Sequence, residues 1–347
     1  MNGTELALDA WLLAVKSRID AHLGQYFAEK RRRAADLSPP SVELVEALER
    51  LTLRAGKRTR PALLVASHAA VAEAGEWEPL LDPCAALELL QTYLLVHDDW
   101  MDQDDQRRGG PTLHRLFAEV CASDQVGASL AILAGDLANA FAAELMGRAA
   151  IPDSSLRPAL AAFAEMQQDV VWGQQLDVIG YRDVGLIHRL KTGSYSVRGP
   201  VLLGAALGGA HPAQRLALER YAQPAGRAFQ ARDDLLGVFG DPEKTGKPAG
   251  SDLRAGKRTV LIEEAERRLS VAERAPLTRV FGQPDADERA FRAARSLLEQ
   301  SGVRAVVEQQ VLAFYAEAVV ALEGAELLPA GKQRLSELAQ RFATRDR

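Results

Sequence analysis

Apolar residues recur at three- and four-residue spacing over residues 41–55, 85–101, 129–146, 156–178 and 288–323, in stretches rich in Ala, Leu, Glu and Arg. That period predicts helices with one buried face. Proline and glycine punctuate the intervals: SPPS at 38–41, LDPC at 81–84, RGGP at 108–111, IPDSS at 151–155, GDPEKTGKPAG at 240–250 and FGQPDADE at 281–288. Alternation of the kind that makes strands is nearly absent. The pattern predicts an all-α protein of on the order of ten or more helices. No linker or shift in composition divides 1–347, so a single all-α domain is expected.

Composition narrows the function classes. The chain has 347 residues, 47% hydrophobic and 26% charged, ordinary values for a protein with a real core. A net charge of −5 argues against a nucleic-acid-binding surface, so any basic function must be local. Cys84 and Cys121 form no Cys-x-x-Cys pair, and no His pair stands at zinc-ligand spacing, which fits a reduced, cytoplasmic location. The N-terminal stretch is amphipathic and contains acids, unlike a signal peptide. No run approaches ~18 uncharged apolar residues, so no transmembrane segment is expected.

Two acidic clusters follow apolar helical segments. In LELLQTYLLVHDDWMDQDDQRRG, Asp98 and Asp102 are four apart and Asp99 and Asp102 three apart, on one helical face. Like charges at that spacing repel, so a cation should hold them. An oxygen-only donor set suits Mg²⁺, which takes one or two carboxylates and completes its shell with water and phosphate. Arg107 and Arg108 follow, and arginine forks grip phosphate oxygens in pairs. In the second cluster, FQARDDLLG, Asp233 and Asp234 follow Gln230, and Gly237 stands four after Asp233.

The heptapeptide LRAGKRT occurs at 53–59 and again at 253–259 with unrelated flanks, so two separate places face one chemical problem. A Gly-Lys-Arg loop near a helix end can cradle an anion. Neither copy is a P-loop, because Arg58 and Arg258 stand where that motif needs Ser or Thr. Lys191 with Thr192 offers a third grip. Two acid clusters, several phosphate grips and an apolar helical body suit two diphosphates with hydrocarbon tails. The interior would shield a carbocation from water.

These residues resemble the trans-prenyltransferases, the head-to-tail isoprenyl diphosphate synthases, over nearly the whole chain. GKRTRP at 56–61, HDDWMDQDDQRRG at 97–109, GQQLD at 173–177, KTGSY at 191–195, FQARDD at 229–234 and DPEKTGKPAGSDLRAGKRT at 241–259 fall in that family's order. The resemblance implies an all-α bundle around a deep cavity, usually a homodimer, with about three Mg²⁺ ions per site and Mn²⁺ as the alternative ion. It implies that Asp98, Asp102 and Asp233 bind metal, with Asp99 supporting. Arg107, Lys191, Thr192, Gln230, Lys247 and Lys257 would contact an allylic diphosphate. Gly56, Lys57, Arg60, Gln91 and Arg108 would hold isopentenyl diphosphate, and Gln174 and Asp177 would line the site. Asp98, Asp102, Lys191, Asp233 and Lys257 would carry catalysis. Many relatives have a third Asp where this chain has Gly237.

Product length in the family depends on bulk just before the first aspartate motif. Tyr93, five before Asp98, resembles synthases of the C20 product, with Leu94 beside it; farnesyl diphosphate (C15) is the alternative. On a helical wheel Tyr93 sits well off the line of Leu87, Gln91, Leu94 and Asp98. A terpene cyclase would need an NDxxSxxxE motif, which is missing. A non-catalytic subunit of a two-component synthase tends to lose aspartates that this chain keeps.

Overall fold

The computed structural model describes residues 7–54, 56–73, 77–241 and 249–345. The described residues are almost entirely helical, as the apolar periodicity predicts. They form two compact units, Met1–Leu160 with Leu203–Gly209, and Ala161–Leu202 with Ala210–Arg347.

The first unit holds α1 (Leu8–Ala35), α2 (Pro39–Leu53), α3 (Thr59–Val71), α4 (Glu78–Met101), a short hairpin, α5 (Leu113–Cys121), α6 (Asp124–Arg148) and the start of α7 (Asp153–Val178). In α1, Trp11, Val15, Ile19, Leu23 and Phe27 recur every four residues and are buried. Ser38 caps α2 by accepting from the Ser41 amide, and Pro39 and Pro40 occupy the first turn, where their missing donors cost nothing. The LDPC punctuation does not break the chain. α4 begins at Glu78 and carries Pro83 inside it, close enough to the N-terminus that little of the helical ladder is lost. Residues 83–90 of α4 are all buried, which makes it the unit's central helix.

α4 lies mainly against α6. Small residues permit the approach: Ala131, Ala134 and Ala138 of α6 are fully buried. A Cβ on Gly135 would stand 2.4 Å from the His97 ring, and one on Gly127 would stand 2.5 Å from the His114 carbonyl oxygen of α5.

The second unit holds most of α7, then α8 (Val184–His188), a π-helical stretch Arg189–Arg198, and the start of α9 (Gly199–Leu207). It continues with α10 (Pro212–Phe239), α11 (Ser251–Arg254), α12 (Val260–Arg268), α13 (Ala275–Thr278), α14 (Glu288–Gln300), α15 (Val303–Leu322) and α16 (Pro329–Thr344). His211 and Gln214 form a capping box that starts α10. α10 packs along α15, the π-helical stretch and α16. Its core includes Leu235, Val238, Leu253, Leu261, Phe291, Leu298, Val307 and Val311. Full burial of each such side chain contributes about 1.5–3 kcal/mol.

The periodic stretch 288–323 is two helices rather than one. Gly302 takes a left-handed conformation (φ 76°) between α14 and α15, which ends the first helix. By length and composition, α6 and α15 are apolar enough to cross a membrane. Each helix buries a face within its own unit, α6 against α4 and α5 and α15 against α10.

Candidate active site

In the first unit, α4 runs from its buried middle into the acids. Asp98 and Asp102 are one turn apart and part-exposed, and the Asp102 amide donates to the Asp98 carbonyl at 2.8 Å. Asp99 turns inward and is 1% exposed. Arg107 Nε donates to Asp99 Oδ1 at 2.6 Å, and Arg107 Nη2 reaches Asp99 as well as Asp104 at 3.1 Å. Asp98 lies 4.0 Å from the same guanidinium. The other Asp99 oxygen is buried with no hydrogen-bond partner among the described residues. Burial pushes the Asp99 carboxyl up to about 6, against the pull of Arg107.

A hairpin that no strand pattern in the sequence predicts sets these arginines. β1 (Gln106–Arg107) pairs antiparallel with β2 (Gly110–Pro111). Its two-residue turn puts Arg108 and Gly109 at positive φ (53° and 75°), the conformation that matches strand twist. Arg54 Nη1 donates to the Arg107 carbonyl at 3.1 Å, and Arg108 Nη1 donates to the Arg54 carbonyl at 3.2 Å. Gly110 leaves room for the Arg54 guanidinium, since a Cβ would stand 2.4 Å from Arg54 Nη1. Burial, and then the charges of Arg60, Arg58 and Arg107 against the pull of Glu88, hold Arg108 below the usual arginine range. A crowded, half-buried set of guanidinium groups is a ready anion site.

The first LRAGKRT copy links α2 to α3. Its Arg58 is the left-handed residue (φ 54°) and is 2% exposed. Arg58 Nε donates to Asp20 at 2.6 Å, Nη2 donates to the Thr52 carbonyl at 2.9 Å, and Nη1 bonds Glu88. Burial opposes its charge, but Glu88 and Asp20 outweigh that and raise its pKa further. A Cβ on Gly56 would stand 2.4 Å from Arg58 Nη1. Gly56 therefore makes room for Arg58, while Lys57 is exposed and Arg60 part-exposed on α3. Gln91, Tyr93 and Leu94 are half-buried on α4. Tyr93 meets His97 edge-on at 4.8 Å, and His97 Nε2 lies 3.1 Å from the Ile132 carbonyl of α6.

In the second unit, α10 presents Asp233 part-exposed and Asp234 4% exposed. Asp234 accepts from Gln230 Nε2 at 2.7 Å and from the Val260 amide at 3.0 Å. Burial raises its pKa, with His188, the Val260 amide and Gln230 pulling it down. Val260 is the first residue of α12, so Asp234 caps that helix and fastens the second LRAGKRT copy to α10. In this copy Gly256 is the left-handed residue (φ 72°) and the Lys257 amide donates to the Asp252 carbonyl at 2.9 Å. Arg258 reaches outward to Glu266 and stays 30% exposed. A Cβ on Gly237 would stand 2.9 Å from Asp252 Oδ2, so the glycine leaves room for a carboxylate from elsewhere in the chain. Lys247 lies outside the described residues.

Lys191 and Thr192 sit inside the π-helical stretch. Wider i→i+5 turns of this kind are frequent at functional sites. Lys191 Nζ donates to Asp177 Oδ2 of α7 at 2.6 Å. Gly173, one turn before Asp177, permits the contact, because a Cβ there would stand 2.3 Å from the Lys191 amide nitrogen. Gln174 is part-buried next to it.

The residues fit Mg²⁺. Among the described residues no three His, Cys, Asp or Glu side chains converge as a finished cage. The donor sets are one or two carboxylates each, which leaves coordination sites for water and phosphate oxygens. Guanidinium groups already stand as cations beside the expected ligands: Arg107 is 4.0 Å from Asp98 and Arg345 is 2.5 Å from Asp233.

Residues 41–298 match the Polyprenyl synthetase family. The chain belongs to that family. It is 34% identical over 269 residues to a short chain isoprenyl diphosphate synthase of Methanocaldococcus jannaschii, covering 75% of this chain and 77% of that one. It is also 34% identical over 275 residues to a farnesyl diphosphate synthase of Geobacillus stearothermophilus, covering 74% and 84%. Among solved structures, it resembles a geranylgeranyl pyrophosphate synthase from Corynebacterium glutamicum complexed with isoprenyl diphosphate and magnesium. That match has a TM-score of 0.89 at 31% identity and covers 98% of this chain and 100% of that one. This polyprenyl synthetase is thus a prenyltransferase of the short-chain isoprenyl diphosphate synthase group, a Mg²⁺-dependent family acting on isopentenyl and allylic diphosphates.

Sequence pattern assigns no site role to four residues of this polyprenyl synthetase: Arg54, Arg58, Gly173 and Arg345. Arg54 and Arg58 lie inside the repeated heptapeptide, and the repeat is their signal. Gly173 lies in GQQLD. Arg345 carries no signal.

Proposed function

We propose that the protein makes geranylgeranyl diphosphate by head-to-tail condensation of isopentenyl diphosphate with allylic diphosphates. Asp98, Asp102 and Asp233 hold Mg²⁺, and Asp99 supports them by fixing Arg107. Bound Mg²⁺ would neutralise the allylic diphosphate and make it a better leaving group. Arg107, Lys191, Thr192, Gln230, Lys247 and Lys257 grip that diphosphate. Gly56, Lys57, Arg60, Gln91 and Arg108 hold isopentenyl diphosphate without metal. The allylic C–O bond breaks, the isopentenyl double bond attacks the cation, and the departing diphosphate takes the proton. Gln174 and Asp177 line the site.

What supports the second, metal-free diphosphate most is Arg108, part-buried and held below its usual pKa beside Arg58, Arg60 and Arg107. Such a cation set gains most from a bound dianion. Solved relatives named geranylgeranyl pyrophosphate synthases support the C20 product, as does Tyr93. Farnesyl diphosphate is the second reading, supported by relatives of that name. Both compact units serve one prenyltransferase domain over 1–347, since the family match runs through both. The enzyme works in the cytoplasm as a homodimer, for which the exposed Val126 and Leu133 of α6 offer apolar surface.

Purified protein with Mg²⁺, isopentenyl diphosphate and each of the C5, C10 and C15 allylic starters tests this reading. A C20 product is expected. A C30 or longer product would end the Tyr93 assignment. No diphosphate release in any pairing would favour a non-catalytic subunit.

A further inference from the structure

The residue after α16 supplies a cation to the second aspartate cluster. Arg345 follows α16 directly, and its Nη2 lies 2.5 Å from Asp233 Oδ1. The same nitrogen donates to the Phe229 carbonyl at 3.0 Å, and the guanidinium stacks over the Phe229 ring at 3.9 Å. The backbone is pinned separately: Arg232 Nε donates to the Arg345 carbonyl at 2.7 Å. Phe342 of α16 meets Phe229 edge-on at 5.2 Å, so the last turn of the helix is seated on α10. Arg345 is only 12% exposed, whereas Asp233 is 43% exposed. Aromatic face, carbonyl and carboxylate together orient a planar fork better than a carboxylate alone.

We propose that Arg345 occupies the cation position of Asp233 and must leave that carboxylate before Mg²⁺ binds there, so that Arg345 sets the metal affinity of the second aspartate cluster. The inference rests on the assignment of Asp233 as a metal ligand. A carboxylate oxygen held by a guanidinium cannot at the same time enter a tight Mg²⁺ shell, and breaking the pair reduces the observed affinity by the worth of the pair. Phe229 and the Arg232 contact keep the displaced arginine close, so it returns when the metal leaves.

The test is Mn²⁺ binding to the full-length protein in saturating inorganic diphosphate, followed by electron paramagnetic resonance as the free-ion signal disappears. Arg345→Gln should lower the midpoint of the weakest site by about two- to fivefold, the worth of a part-exposed ion pair. A chain ending at Thr344 should give the same shift, which keeps the test open if the glutamine variant does not fold. An unchanged midpoint, or a higher one, overturns the inference. Asp233→Asn is the control and should lose one ion. If it keeps the full number, Asp233 is not a ligand and the assignment beneath the inference falls. If it loses one while Arg345→Gln does not shift, the inference alone fails.

Discussion

The two LRAGKRT copies contain the same arginine in the same local sequence, and their burial predicts different costs of losing it. Arg58→Met removes a guanidinium held by Asp20, Glu88 and the Thr52 carbonyl. Glu88 is 2% exposed and one of its oxygens already has no partner among the described residues, so the variant leaves a buried carboxylate uncompensated. Breaking such a pair from one side costs about 3–5 kcal/mol. Arg258→Met removes a 30% exposed arginine from a 38% exposed Glu266, a pair worth about 0–1 kcal/mol. For a cooperative unit of this size, about 2–4 °C of Tm accompanies each kcal/mol. Arg58→Met should therefore lower Tm by about 6–20 °C, and Arg258→Met by no more than about 4 °C. Thermal unfolding of the substrate-free protein by circular dichroism reads both. Adding Glu88→Leu to Arg58→Met should recover part of the loss, because the orphaned charge is gone. Equal shifts for the two single variants would refute the burial argument.

Further outcomes follow from the site. Lys57→Ala should chiefly raise KM for isopentenyl diphosphate, while Lys257→Ala should chiefly harm the allylic substrate or the ionisation step; steady-state kinetics in which the two behave alike would remove the division of labour. Asp98→Ala should abolish turnover, measured as diphosphate release at saturating Mg²⁺. Tyr93→Ala should lengthen the product by chromatography, and an unchanged distribution would assign the cavity floor to another residue, which the Tyr93–His97 contact makes a real contest. Gly173→Ala should push the π-helical stretch away from α7 and cut kcat/KM for the allylic substrate by about 10- to 100-fold. Its KM for isopentenyl diphosphate should stay within about twofold, and an equal loss for both substrates would count against a positioning role.

Much of the fold was legible because helix signals are local. Period and punctuation placed the helices, and the acids at the end of a buried helix were visible in LELLQTYLLVHDD. The errors came where a single residue's context decides. Pro83 breaks nothing because it lies near a helix start, and Gly302 breaks a run that reads as continuous. The hairpin at Gln106–Pro111 is too short for any strand pattern, and its turn depends on Arg108 accepting positive φ. In the site, motif order named the acids and the cations, but not their pairing. Asp99 with Arg107 and Asp177 with Lys191 are two such pairs, and Asp233 pairs with Arg345, which lies in no motif. Pairing depends on distance between elements, which no spacing along the chain encodes.

The heptapeptide marks where that boundary falls. In both places LRAGKRT ends one helix, turns, and opens the next, with Thr59 starting α3 and Thr259 standing just before Val260, the first residue of α12. Leu at a helix end, Arg free to bond carbonyls, Gly for the turn and Thr at the new N-terminus are local preferences, and the sequence by itself determined that much. The conformation of the turn was not local. The left-handed residue is Arg58 in one copy and Gly256 in the other. Buried Glu88 and part-buried Asp20 draw Arg58 inward, where ion pairing outweighs the strain of a positive φ. Glu266, exposed, makes no such demand of Arg258, so the turn settles on the glycine. One heptapeptide thus took two backbones among its described residues because the carboxylates that tertiary structure set beside them differed in burial.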